Sequence, residues 1–302
     1  MDLDQERYRR RIAKSTMKNP ESSPSLGATP ALNAGWKEQP LSYSEHHGKF
    51  SMQAIRPLLD AVEITADRAG QGQRLLDVAC GPGYGAGEAA WRGAEATGLD
   101  ITPGMVKISS HNFPKVISIE GDGEALPFPD KDFDAVICCF GMPQMAHPER
   151  AIADKPTLFA NCHRVLKPGG RYGFALRAGV RQDFSKQMVQ SAVLAHGKID
   201  DALAKAVDVG LRDPDQYELL LAAAGFTQIT TSQVSMVWQP KDEDALLKTV
   251  YSGNRGRKLV EAQTPEAREK IIQAMLDFAK QFKGPSGYQI LRLAILLTAQ
   301  KK

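Results

Sequence analysis

The stretch LLDVACGPGYG, residues 75–85, decides the fold. Apart from Asp77, its first half is a continuous apolar run, the pattern of a strand covered on both faces. Its second half places glycines at 81, 83 and 85, and a helical pattern follows. Glycines there let the backbone turn sharply and present amides at a helix start, where a ligand can come close. Alone, such a turn serves nucleotides, flavins and adenosyl groups alike, and is sometimes only a tight turn.

Working outward, helices and short apolar strands alternate. A helix is expected over 50–63, a strand at 73–79, a helix near 86–94 and a strand at 96–100. A helix near 103–112 follows, with strands at 116–120, 133–139 and 171–177 and a helix near 156–166 before the last of these. This order implies βαβ crossovers and a mainly parallel sheet. Beyond residue 180 the pattern is largely helical, interrupted by strands at 226–237 and 288–299 that are able to form an edge hairpin. Residues 1–40 are polar, with RYRRR followed by a Ser/Pro/Gly/Asn-rich stretch, and read as a flexible arm ahead of one domain over 41–302.

Composition narrows the function. Residues 1–20 hold six Lys/Arg against three Asp/Glu, a surplus equal to the net charge of +3. The rest is therefore close to neutral, which opposes a large nucleic-acid footprint. The four cysteines show no metal-ligand spacing, so no metal site is expected and reduced thiols are the simplest reading. With no apolar run long enough to span a bilayer, a cytoplasmic, membrane-free monomer or homodimer is expected.

Two acidic residues fall in step with the Gly-rich turn. Asp100 ends the strand ATGLD, 17 residues beyond Gly83, where a carboxylate accepts hydrogen bonds from ribose hydroxyls or caps a helix. Asp122, in GDGEALPF (121–128), stands before the strand FDAVICC, in reach of an exocyclic amine or simply solvated. All three pieces sit at carboxyl ends of strands, where open α/β sheets bind ligands.

With LLDVACGPGYG (75–85), GLD (98–100), GDGEALPFPDKDFDAVICCFGM (121–142) and HRVLKPGGRYGFA (163–175) in order, the chain resembles the class I S-adenosylmethionine-dependent methyltransferases, above all the UbiE-like small-molecule group. The likeness covers about 42–177. It implies a Rossmann-like, seven-stranded, mainly parallel sheet with the last strand antiparallel, here with helical cap insertions at about 181–225 and 240–285. It implies S-adenosyl-L-methionine as cofactor and S-adenosyl-L-homocysteine as product. Ala79, Gly81 and Gly83 would pass the methionine part, Asp77 would hold its amino group, and Tyr43 would reach its carboxylate. Asp100 would take the ribose, Ile101 and Met105 would pack on adenine, and Asp122 and Gly123 would meet its edge. Phe140 would face the sulfonium and the acceptor. Between His147 and KPGG this chain is longer than that family's usual plan, around DKPTLFA (154–160).

Methyl transfer from a sulfonium needs positioning and a water-poor pocket, with a general base only when the acceptor must lose a proton. His46 and His47 are the base candidates, and the rate would then rise with pH near 6.5. Met142, Arg177, Trp238 and Tyr251, with Phe140, are candidates for the acceptor pocket. Arg177 either binds an anionic substrate or pairs with Asp183. Residues 42–50 and 181–196 are expected to close over the site, the latter through Phe184, Met188, Ala192 and Leu194. The expected reaction is methylation of a small molecule, such as a secondary metabolite or a quinone, at O, N, S or C. Alternatives are an RNA or protein methyltransferase, or a cyclase that keeps the cofactor without using its methyl group.

Overall fold

The computed structural model describes residues 40–66, 72–141, 156–177, 183–201, 203–204 and 214–302. The arm lies outside them, as do Met142 and His147. Seven strands form one sheet: β1 (Arg74–Val78), β2 (Glu95–Asp100), β3 (Ile117–Glu120), β4 (Phe133–Cys139), β5 (Leu166–Arg177), β6 (Phe226–Trp238) and β7 (Ile290–Lys301). Their spatial order is β3-β2-β1-β4-β5-β7-β6. The first five pair in parallel, and β7 runs antiparallel to both β5 and β6. This is the Rossmann-like architecture with its last strand reversed.

The central strands are apolar along their length because each side of the sheet is covered. On β1, Leu75 enters one core while Leu76 and Val78 enter the other. On β4 the split is Ala135 and Ile137 against Phe133, Val136 and Cys138. The first face carries α2 (Lys49–Ala61) and α3 (Tyr84–Trp91); α4 (Pro103–Asn112) follows β2. The second face carries α5 (Pro156–Val165) and α7 (Pro214–Ala223), where Phe159, Tyr172, Phe174 and Tyr217 pack ring on ring. The helix expected near 156–166 is α5, which takes up PTLFA of the longer stretch; Pro156 is its first residue, a position that needs no amide donor.

The cap shares the first core. Its helices are α6 (Phe184–His196), α8 (Glu243–Ser252), α9 (Asn254–Glu261) and α10 (Pro265–Ala279). They bury Met188, Val193, Leu246, Leu259, Ile271 and Met275 against residues of α2 and β7. On α6 the buried stripe runs through Ser185, Met188, Val189, Ala192 and Val193. Leu194 is 65% exposed, because it lies off the four-residue spacing that keeps Met188 and Ala192 on one face. Caps start these helices: Asp183 accepts from the Ser185 and Lys186 amides, and Asp242 from that of Ala245.

Candidate functional site

Three carboxylates and the Gly-rich turn meet at the carboxyl ends of β1, β2 and β3. After β1 the chain passes through left-handed backbone at Ala79 (φ 56°), Gly81 (φ 54°) and Gly83 (φ 89°) before α3 begins. A side chain at Gly83 would overlap the Ser109 hydroxyl, so glycine is required there for packing as well as for φ. At Gly81 an added Cβ would meet none of the described residues within 4 Å. The turn is hooked to β2, since the Gly81 amide donates to Asp100 Oδ2 at 2.8 Å and the Thr102 amide to Asp100 Oδ1 at 2.9 Å. Asp100 is buried, which raises its pKa against the pull of those two amides. Each carboxylate oxygen retains a lone pair, so the hook leaves acceptor capacity for a ribose.

Asp77 is buried beneath the turn. Its Oδ2 accepts from the Ala86 amide at 2.9 Å, and its Oδ1 has no donor among the described residues. Burial pushes this carboxyl up to about 7; the Ala86 amide opposes the shift and the charge of Asp100 adds to it. Asp122 repeats the pattern: Oδ1 accepts from the Glu124 amide at 2.9 Å while the buried Oδ2 has no partner among the described residues. An unmatched buried acceptor is costly, so each of these oxygens suits a ligand that brings a donor. An ammonium fits at Asp77 and an exocyclic amine at Asp122. Ile101 is exposed at the end of β2, Met105 four residues on is buried, and Gly123 is buried. The residues present therefore fit the two donor-bearing ends of S-adenosylmethionine.

Phe140 and Arg177 end β4 and β5. Phe140 is held at φ 63° with its amide donating to Ala175, and the Arg177 guanidinium lies 5.1 Å from its ring centre. Such strain in a non-glycine residue at a strand end is typical of functional sites. Asp183 pairs with Arg292 of β7 at 3.1 Å, so the alternative of an Arg177–Asp183 pair is not realised. The reason is geometric: Arg292 Nε and Nη2 both face Asp183 Oδ2, and its Oδ1 is taken by Ser185 and the Lys186 amide.

The segment 42–50 is not a loose cover but a helical turn. Pro40–Tyr43 (α1) continues into one π-helical turn, Ser44–Gly48, which runs into α2. π-turns of this kind are frequent at functional sites. Tyr84, in the Gly-rich stretch itself, donates to the Ser44 carbonyl at 2.9 Å and meets Ser44 Oγ at 3.2 Å. Gly48 allows this approach, because a Cβ there would come within 3.1 Å of the Tyr84 ring. Tyr43 and His47 stack with ring centres 5.5 Å apart. His46 Nδ1 meets the Ser42 carbonyl at 3.0 Å, whereas the buried His47 Nδ1 has no hydrogen-bond partner among the described residues. Burial, then Arg177 and Arg292, hold the His47 pKa well below 6.5 against the backbone of Thr249. A base at His47 is thus neutral through the physiological range, which replaces the expected rise of rate near pH 6.5.

Of the remaining candidates, Trp238 is buried at the end of β6, on the same side of the sheet as Arg177. Tyr251 lies in α8 within electrostatic range of Glu261 and Arg268, in the cap. Sequence reasoning passed over Arg292, Lys186, Thr249 and Tyr84. The first had a signal: an arginine inside the apolar strand ILRLAILLTA must find a buried counter-charge.

This site, a glycine-turned β1 with acids at the ends of β1, β2 and β3, defines the Rossmann-like class that binds an adenosyl cofactor at its switch point. The family described as Methyltransferase domain matches residues 76–174. The demethylmenaquinone methyltransferase of Renibacterium salmoninarum is 39% identical over 108 residues, 36% of this chain and 43% of that one. That of Paenarthrobacter aurescens is 28% identical over 190 residues, 60% of this chain and 70% of that one. The match thus spans less than half of the first relative's length. Among solved structures, the YcgJ protein of Bacillus subtilis is similar in fold, with a TM-score of 0.51 at 18% identity over 82% of this chain and 97% of that one. Over residues 76–174 the chain carries the methyltransferase-domain match, and its similarity is to class I S-adenosylmethionine-dependent methyltransferases of the UbiE-like group.

Proposed function

We propose that this chain transfers the methyl group of S-adenosylmethionine to a small, partly apolar acceptor, with quinone-like compounds the first class to test. The observation that carries the reading is the pair of buried oxygens without a donor among the described residues, Asp77 Oδ1 and Asp122 Oδ2, on either side of Asp100. They are matched in kind by the amino group and the adenine amine at the two ends of that cofactor. The names of the two demethylmenaquinone methyltransferase relatives support the quinone-like acceptor. No helix among the described residues is long and apolar enough to cross a membrane.

When bound, S-adenosylmethionine supplies an electrophilic methyl on a sulfonium. The protein's own part is to bind, orient and dry the site. Asp77, Asp100 and Asp122 fix the cofactor's orientation, and Tyr84 anchors the Tyr43–Gly48 turn beside the Gly-rich turn. Tyr43 and Phe140 present aromatic surface near Arg177. His47 Nδ1, neutral and unpartnered, is the atom best placed to take a proton from an acidic acceptor. The test is release of S-adenosylhomocysteine across a panel of quinols, phenols and fatty acids. Turnover with a quinol or another small acceptor supports the reading. Cofactor binding with turnover only on RNA or protein would overturn it.

A further inference from the structure

We propose that Arg177 recognises a carboxylate on the methyl acceptor. The assignment rests on the methyl-transfer reading above and adds a substrate class to it.

Arg177 stands at the carboxyl end of β5, half-buried, with its guanidinium against the face of Phe140 at 5.1 Å. Cys139, the residue before Phe140, is within electrostatic range of both Asp77 and Arg177. Among the described residues, no carboxylate forms an ion pair with it. Asp183 is the nearby candidate, and its oxygens are fully committed. Oδ1 accepts from the Ser185 amide at 3.1 Å, the Ser185 hydroxyl at 2.6 Å and the Lys186 amide at 3.3 Å. Oδ2 accepts from Arg292 Nε at 3.3 Å and Nη2 at 3.1 Å. Arg292 is further occupied by the Phe50 ring, 4.7 Å away.

The local charge is therefore unbalanced. Arg177, Arg292 and Lys186 surround one carboxylate, and burial with mutual repulsion presses Lys186 down to about 7 and Arg177 to about 10. Two arginines and a partly protonated lysine against one carboxylate leave these described residues with at least one excess positive charge. A half-buried cation without a counter-charge is only partly solvated, and a single anionic oxygen group from outside would balance it. A planar guanidinium matches a planar carboxylate through two parallel hydrogen bonds. Phe140 supplies apolar wall for the rest of such an acid. His47 lies within electrostatic range of Arg177 and Arg292.

The experiment uses the full chain saturated with S-adenosylhomocysteine. Calorimetry follows binding of 4-hydroxybenzoate and decanoate, each beside its neutral amide, to wild type, Arg177→Gln and Arg177→Lys. At least one acid should bind more tightly than its amide. Arg177→Gln should lose about 10–150-fold of that acid's affinity, and Arg177→Lys should restore part of it. The affinity for S-adenosylhomocysteine and the melting temperature should stay at their wild-type values in both variants. Equal binding of acid and amide, no binding of either acid, or an unchanged acid affinity in Arg177→Gln would overturn the proposal. So would a parallel loss of S-adenosylhomocysteine affinity, which would give Arg177 to the cofactor's own carboxylate. Failure of wild type to bind S-adenosylhomocysteine would instead remove the methyl-transfer reading itself.

Discussion

Replacing Asp77 by Asn isolates the electrostatics of the cofactor site. In the free protein this buried carboxyl is pushed from 3.8 to about 7, chiefly by burial. At about 1.36 kcal/mol per unit, keeping it ionised costs roughly 4 kcal/mol. Because the folded value lies above the unfolded one, its contribution to stability is fully present below pH 3.8 and is lost as pH rises through about 7. Asn carries no charge there, so above pH 7 the free variant should melt no lower than wild type, and higher if burial dominates. Its amide oxygen can still accept from Ala86, the 2.9 Å bond that Oδ2 now makes. Ligand binding should respond in the opposite sense. An ammonium at Oδ1 needs the carboxylate, so wild-type affinity for S-adenosylhomocysteine should climb with pH up to about 7, by at most about tenfold per unit, and then level. The variant should lose about 1.5–3 kcal/mol of affinity above pH 7, the worth of a charge-assisted hydrogen bond, together with that slope. Calorimetry from pH 5.5 to 8.5, with parallel thermal scans, measures both. A variant that binds as tightly as wild type with the same slope would refute the role given to Asp77.

Other expectations separate binding, fold and chemistry. Gly81→Ala should cost about 1–2 kcal/mol of stability for its left-handed backbone, yet weaken S-adenosylhomocysteine strongly, because the added methyl enters the open cradle. Gly83→Ala, driven into Ser109, should lower the melting temperature further still, and thermal unfolding of the two variants ranks them. His47→Ala should reduce kcat while sparing cofactor affinity, and the wild-type kcat at saturating cofactor should show no inflection from this residue near pH 6.5. A clear inflection there that vanishes in His47→Ala would contradict the burial argument. Tyr84→Phe removes the bonds to Ser44 and should speed hydrogen exchange over 44–48 at a cost of about 1 kcal/mol in stability. Unchanged exchange would show that the π-helical turn is held by packing alone.

How much of this was legible in the sequence depends on how local the physics is. β1, the turn after it, β2 and β4 were readable because glycine spacing and apolar runs are local signals, and β4 falls at 133–139 as expected. The order and reversal of the last strands followed from the family likeness rather than from periodicity. β5 begins at Leu166, five residues earlier than expected, because KPGG stays in the strand through a bulge opposite Phe133 and Ala135 instead of breaking it. The Asp183–Arg292 pair joins residues 109 apart, and no local pattern predicts which arginine wins such a carboxylate. His46 and His47 are equivalent on paper. Only the π-helical turn gives one of them the Ser42 carbonyl and turns the other towards Tyr43 and the cap. Asp77 was assigned from the family likeness alone, and its donorless oxygen supplies the physical reason for that assignment.

The central claim is that the acids at the ends of β1, β2 and β3 form a site for S-adenosylmethionine. Calorimetric titration of the full chain at pH 8 with S-adenosylmethionine, S-adenosylhomocysteine and NAD tests it most directly. The account predicts a saturable one-site isotherm for each of the two adenosyl ligands and none for NAD. Binding of NAD in preference to S-adenosylmethionine, or no binding of either adenosyl ligand, would contradict it.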